Sequence, residues 1–164
     1  MEILEAGRQA PSPKNKQPWR FVVTNGSVKD RVANLMIAYA LGMDLEAYRQ
    51  KVGYPSSIGP TADIMKQAPV VVLVFREPDP EWEGGDNLAI GACIENMCLR
   101  ATELGLGTLW CRDVYRTRKE IAEAVGHPDL ELNSALVIGY ADEEPVARAR
   151  HNLDDLTEWQ WEEY

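Results

Sequence analysis

Residues 86–112 read DNLAIGACIENMCLRATELGLGTLWCR. Asp86 can cap a helix that runs to Leu104. Along it Leu88, Ile90, Ile94, Met97, Cys98, Leu99, Ala101 and Leu104 cover most of the circumference. A helix this apolar all round is buried, either in a core or across a subunit interface. A chain of 164 residues has limited core, which favours the interface. Gly105 stops the helix, and Gly107 to Arg112 reads as a strand.

The other elements follow outward from this pair. Residues 2–9 read as a helix stopped by Pro11, and Pro11 to Pro18 is a proline-punctuated loop. Arg20 to Thr24 is a short strand closed by Asn25-Gly26. A helix starts with Ser27 as N-cap and lines one face with Val28, Val32, Leu35 and Tyr39. Residues 42–64, with Gly42, Gly53, Pro55, Gly59 and Pro60, read as a mobile excursion, a short helix and a loop. Pro69 to Phe75 is a continuous β-branched run, hence a central strand buried on both faces. Residues 115–125 form a surface helix ending at Gly126-His127-Pro128, and Ser134 to Tyr140 is the last strand. The tail closes with Trp159, Trp161 and Tyr164, large aromatics that call for a packing surface such as a partner subunit. The predicted fold is one α+β domain over 1–164. Its centre is a mostly antiparallel sheet of four or five strands flanked by helices, with the 86–104 helix at its heart.

Composition narrows function. A formal charge of −9 argues against non-specific nucleic-acid binding and against docking on an anionic membrane. No apolar stretch reaches the roughly 20 residues that span a bilayer. The start Met1-Glu2-Ile3-Leu4-Glu5 lacks the layout of a signal peptide, so the expected location is the cytoplasm. Cys93, Cys98 and Cys111 have no metal-site spacing and read as reduced core thiols; no metal site is expected. His127 and His151 have no catalytic companions, and no Ser/His/Asp or Cys/His constellation can be assembled.

Three motifs carry the remaining signal. The first is Ala10-Pro11-Ser12-Pro13-Lys14-Asn15-Lys16-Gln17-Pro18-Trp19. Its prolines stiffen a loop that holds Ser12, Asn15 and Gln17 at little ordering cost. The second is Asn96 followed by Glu103-Leu104-Gly105-Leu106-Gly107-Thr108-Leu109-Trp110, whose glycines permit close backbone approach. The third is Pro145, Arg148, Arg150, Leu153 and Leu156. Two arginines two residues apart in an extended segment share one face and form a compact phosphate clamp.

In this order the three motifs resemble the signatures of the nitroreductase family, FMN-dependent NAD(P)H oxidoreductases, over nearly the whole chain. The resemblance implies a homodimer with FMN as cofactor and NADH or NADPH as reductant. Hydride passes to FMN, and electrons then go to a nitroaromatic, quinone or similar small acceptor. The flavin carries the chemistry, so no catalytic side chain is expected. The implied cofactor-binding set is Pro11, Ser12, Pro13, Asn15 and Gln17 from the loop; Gly107, Trp110, Cys111 and Arg112 from the strand; and Arg148 and Arg150 for the phosphate. The loop and the strand are expected from opposite subunits. Residues 42–64 would be a substrate lid, with Tyr48 and Tyr54 covering the ring. Family members carry an Arg-rich segment ahead of the first helix, and Arg112-Asp113 stands where short members often have glycine. Without that segment the phosphate depends on Arg148, Arg150 and Lys14 or Lys16. The second reading is therefore a degenerate member that holds flavin weakly or not at all and acts as a binding protein.

Overall fold

The computed structural model describes residues 1–53 and 55–161. The chain forms α1 (Glu2–Arg8), β1 (Trp19–Thr24), α2 (Gly26–Leu41), α3 (Leu45–Val52), α4 (Ile58–Gln67), β2 (Val70–Arg76), α5 (Glu83–Glu103), β3 (Gly107–Cys111), α6 (Arg118–Ala124) and β4 (Glu131–Gly139). Short 3-10 turns cover Pro13–Asn15, Asp113–Thr117 and Asp154–Leu156. The four strands lie in the order β1-β2-β4-β3, every pair antiparallel, as the sequence predicts.

The β-branched run of β2 takes a central place because both its faces are apolar. Val71, Leu73 and Phe75 pack into one core with Val32, Met36, Ile58, Met65 and Ile121 of α2, α4 and α6. Val72 and Val74 face the other way, into a core with Trp19, Ile90, Ile94 and Met97. The sheet is thus sandwiched, with α1 and α5 on one side and α2, α4 and α6 on the other. α5 has a fully buried stripe of Ile90, Cys93, Ile94, Met97 and Ala101. Burying each of its larger side chains is worth about 1.5–3 kcal/mol. Leu88 and Leu99 of the same helix remain exposed.

Several local expectations are corrected. Asn25, not Ser27, occupies the N-cap of α2, and its side chain makes no capping bond. The inward face of α2 is Lys29, Val32, Ala33 and Met36, whereas Val28 and Tyr39 are exposed. The stripe rotates because Lys29 turns in to serve the end of α4. Its Nζ donates to Met65 O at 3.0 Å and Lys66 O at 2.5 Å, carbonyls left open at a helix C-terminus. Residues 42–64 are largely helical rather than loop-like. α4 is a core helix, with Ile58, Thr61, Ala62 and Met65 buried. Asp86 does not cap α5, which begins three residues earlier at Glu83. It is instead fully buried in the first turn. Gly105 does end the helix, at φ +73°, a conformation that other residues enter at a cost.

α1 is seated on α5 through Gly7. A Cβ there would lie 2.7 Å from Met97 Cγ and 3.0 Å from Cys93 Sγ, both in fully buried side chains. Asn96 Nδ2 adds a hydrogen bond to Ala6 O at 3.2 Å. Gly7→Val is expected to destabilise the protein by about 1–3 kcal/mol through overpacking. Urea denaturation checks this, and unchanged stability would mean that α1 does not pack here.

Candidate functional site

The Pro-Ser loop is a strained, ordered segment. Lys14, Asn15 and Gln17 sit at φ 51°, 56° and 50°, in the left-handed region. Ser12 Oγ accepts from the Gln17 N–H at 2.9 Å and closes the loop on itself. Gln17 Nε2 donates to Asn15 O at 3.2 Å. Among the described residues, the Asn15 side chain and Gln17 Oε1 have no hydrogen-bond partner, while the Gln17 backbone O accepts from Arg20 Nη1 at 3.4 Å. Lys16 anchors the loop from outside: its Nζ donates to Asp79 Oδ2 at 2.7 Å and Asp86 Oδ2 at 2.9 Å. These bonds raise the Lys16 pKa, Asp79 contributing most, and Asp79 is lowered in return. Lys16 is thus committed to structure and is not a spare phosphate cation. Lys14 lies over the Trp82 ring, 5.0 Å from its centroid. Pro13 packs on α5, its Cγ 3.1 Å from where a Cβ of Gly85 would stand.

β3 approaches the same end of α5. The Trp110 ring reaches Gly91, and its Nε1–H donates to Ser134 Oγ at 3.1 Å. Gly107 closes against the chain at Ala141, where a Cβ would meet Ala141 Cβ at 3.1 Å. Cys111 is buried, and its thiol is pushed up to about 11 by desolvation. Burial likewise pushes Cys93 up to about 12, so neither is an activated thiol.

Between α5, β3 and β4 lies a cavity of about 500 Å³. Trp110 and Arg112 line it, together with residues that sequence reasoning missed: Arg76, Glu83, Asn87, Tyr115, Arg118 and Asn133. Arg76, 4% exposed, ends the apolar run of β2. Its Nη2 pairs with Glu131 and with Glu83 Oε1 at 3.3 Å, while Nη1 is buried without a partner among the described residues. A β-bulge shapes the far wall. Val74 faces Ser134 and Phe75 faces Leu132, so Asn133 is the extra residue on β4. Asn133 Nδ2 thereby reaches Asn87 Oδ1 at 2.8 Å. The available signal was a single charge, Arg76, closing the uncharged run Val70–Phe75; bulge position leaves no such trace.

The loop therefore packs on α5 at Gly85 and Asp86, and β3 packs on it through Trp110 at Gly91. The structure does not bring Arg148 and Arg150 to them. Both are exposed in an extended tail whose side-chain hydrogen bonds, among the described residues, stay within residues 148–160. Trp159 and Trp161 stack on each other at 4.5 Å and stay exposed. Tyr164 lies outside the described residues, as does Tyr54 of the expected lid. Tyr48 is half-buried on α3. Only the part of that excursion before α4 is free to act as a cover, since Ser57 Oγ donates to Asp113 Oδ2 at 2.6 Å and α4 is core. No described helix is long and apolar enough to cross a membrane.

Comparison with known proteins gives a consistent result. A protein of Bacillus subtilis provisionally named NAD(P)H nitroreductase YfhC is 26% identical over 159 residues, covering 94% of this chain and 79% of the relative. A Thermus thermophilus protein named NADH dehydrogenase is 28% identical, over 96% of this chain and 83% of its own length. A nitroreductase-like protein from Desulfovibrio desulfuricans, solved in complex with FMN, superposes with a TM-score of 0.72 at 26% identity, covering 96% of this chain and 81% of that one. The model of the nitroreductase family matches residues 1–140, and the chain belongs to the nitroreductase family.

Proposed function

We propose that the protein is an FMN-dependent oxidoreductase that moves hydride or electrons from NADH or NADPH to a nitroaromatic, quinone or similar small acceptor, working as a homodimer. The observation that carries this reading is the family match over residues 1–140, within which the Pro-Ser loop and β3 each pack on the N-terminal half of α5. FMN in the Desulfovibrio relative and NAD(P)H in the name of the Bacillus relative support it.

The residues present fit the cofactor's chemistry. Bound FMN would supply two-electron redox chemistry that the protein side chains lack. Ser12, Asn15 and Gln17 offer short polar groups on a preorganised loop for the ribityl hydroxyls and pyrimidine edge. The backbone of Trp110, Cys111 and Arg112 would flank the ring. Arg148 and Arg150 have no carboxylate partner among the described residues and would take the phosphate.

A dimer accounts for surfaces that one copy leaves bare. Leu88 at 79% exposure and Leu99 at 61% lie eleven residues apart on α5, on one face, with half-buried Ala92 between them. The stacked Trp159–Trp161 pair is a second bare apolar surface. Covering both with a second copy buries them and completes the site.

Replacing Arg148 and Arg150 together by Ala is expected to weaken FMN binding by about 3 kcal/mol or more. Riboflavin, which lacks the phosphate, should be much less affected in the same titration. Equal losses for both ligands would remove these arginines from the phosphate site. α3 is the proposed lid. Deleting residues 45–52 should change acceptor selectivity and KM while FMN content is retained. Loss of flavin on deletion would make α3 a structural element instead.

A further inference from the structure

The cavity beside β3 is built to receive an acceptor of hydrogen bonds. Its polar wall is a one-way chain: Trp110 Nε1–H donates to Ser134 Oγ at 3.1 Å, and Ser134 Oγ donates to Asn133 Oδ1 at 3.0 Å. Asn133 Nδ2 then donates to Asn87 Oδ1 at 2.8 Å. Each oxygen in that chain is engaged, and the chain ends on the Asn87 amide, whose N–H groups are left to donate. Across from it Arg76 lines the cavity, its Nη2 paired with Glu83 and Glu131.

Charge points the same way. Glu83 and Glu131 are both turned to Arg76. Arg112 and Arg118 also line the cavity and have no carboxylate partner among the described residues. Both are held instead by the ring of Tyr115, their guanidinium carbons 5.3 Å and 4.0 Å from its centroid. Three guanidiniums against two carboxylates leave one positive charge in a protein whose formal charge is −9. A locally basic cavity on so acidic a chain concentrates anions against the background field.

We propose that this cavity binds the oxyanion of a small ligand through Arg112 and Arg118. The residual single charge matches a monoanionic carboxylate, and the Trp110 and Tyr115 rings supply flat walls for an aromatic body. A phosphate group offers the same oxygens and is the other source of this chemistry. Trp110 and Arg112 are shared with the proposed flavin site, but that reading uses their backbone and this one their side chains, so flavin binding is not required.

Isothermal titration of the full chain, with and without added FMN, tests the assignment. The probes are benzoate, inorganic phosphate and the neutral benzamide. Saturable binding of benzoate is expected in both preparations, with benzamide about tenfold weaker or worse. Arg112→Gln and Arg118→Gln should each weaken it by about tenfold while the melting temperature is retained. Phosphate binding tighter than benzoate, lost in the same variants, supports the site with phosphate as its natural group. Binding of neither anion, equal binding of benzamide, or benzoate affinity that survives both arginine replacements overturns it. Benzoate binding only after FMN is added also overturns it, and assigns the anion to the flavin site.

Discussion

A carboxylate with no exposure to water needs a counter-charge, and Asp86 is such a carboxylate in the first turn of α5. Lys16 supplies that charge from the Pro-Ser loop, seventy residues away in sequence. The pair thus does more than neutralise: it fixes where a loop with three left-handed residues sits against a core helix. Asp79 holds the same ammonium from the segment between β2 and α5, so loop, connection and helix share one cation. Negative charge in the first turn also complements the dipole of a 21-residue helix. Ser12, Asn15 and Gln17 are presented by this arrangement, not by regular secondary structure.

The opposite side of the same helix end shows a second use of buried charge. Arg76 leaves the sheet where β2 ends and is neutralised by Glu83 of α5 and Glu131 of β4. The bulge at Asn133 is what opens room beside it, since regular pairing would keep β4 flat against β2. α5 thus carries two electrostatic anchors on its first turns, one tying down the loop and one bordering the cavity. Its apolar middle, Ile90 to Met97, provides the rigid platform for both.

Strong, local signals were legible in the sequence. The β-branched run of β2, the Gly105 stop and the apolar circuit of α5 each follow from one property of a short segment, and the fold class followed from their order. The inward face of α2 was misread because a lysine at position 29 looks solvent-facing, whereas its ammonium closes the α4 C-terminus. Asp86 looked like a cap because caps and buried ion-pair partners use the same residue. Residues 42–64 looked like a loop because glycines and prolines punctuate them, yet Pro60 sits in the first turn of α4, where its missing N–H costs nothing. The site showed the same division. Ser12, Asn15, Gln17, Trp110 and Arg112 are proposed from motif alone. Arg76, Arg118 and Asn133 converge only through register, bulge and crossover order, which no single segment encodes.

Two features of the single chain remain open-ended: the exposed leucines of α5, and a tail whose arginines and tryptophans are exposed. In the proposed homodimer a second copy would resolve both, bringing cations and aromatic surface to a site assembled between chains. Sedimentation velocity recorded at the flavin absorbance, across a dilution series with FMN, tests this most directly. Flavin absorbance should travel only with the dimer and be released as the dimer dissociates. Flavin sedimenting stably with a monomer would contradict the account.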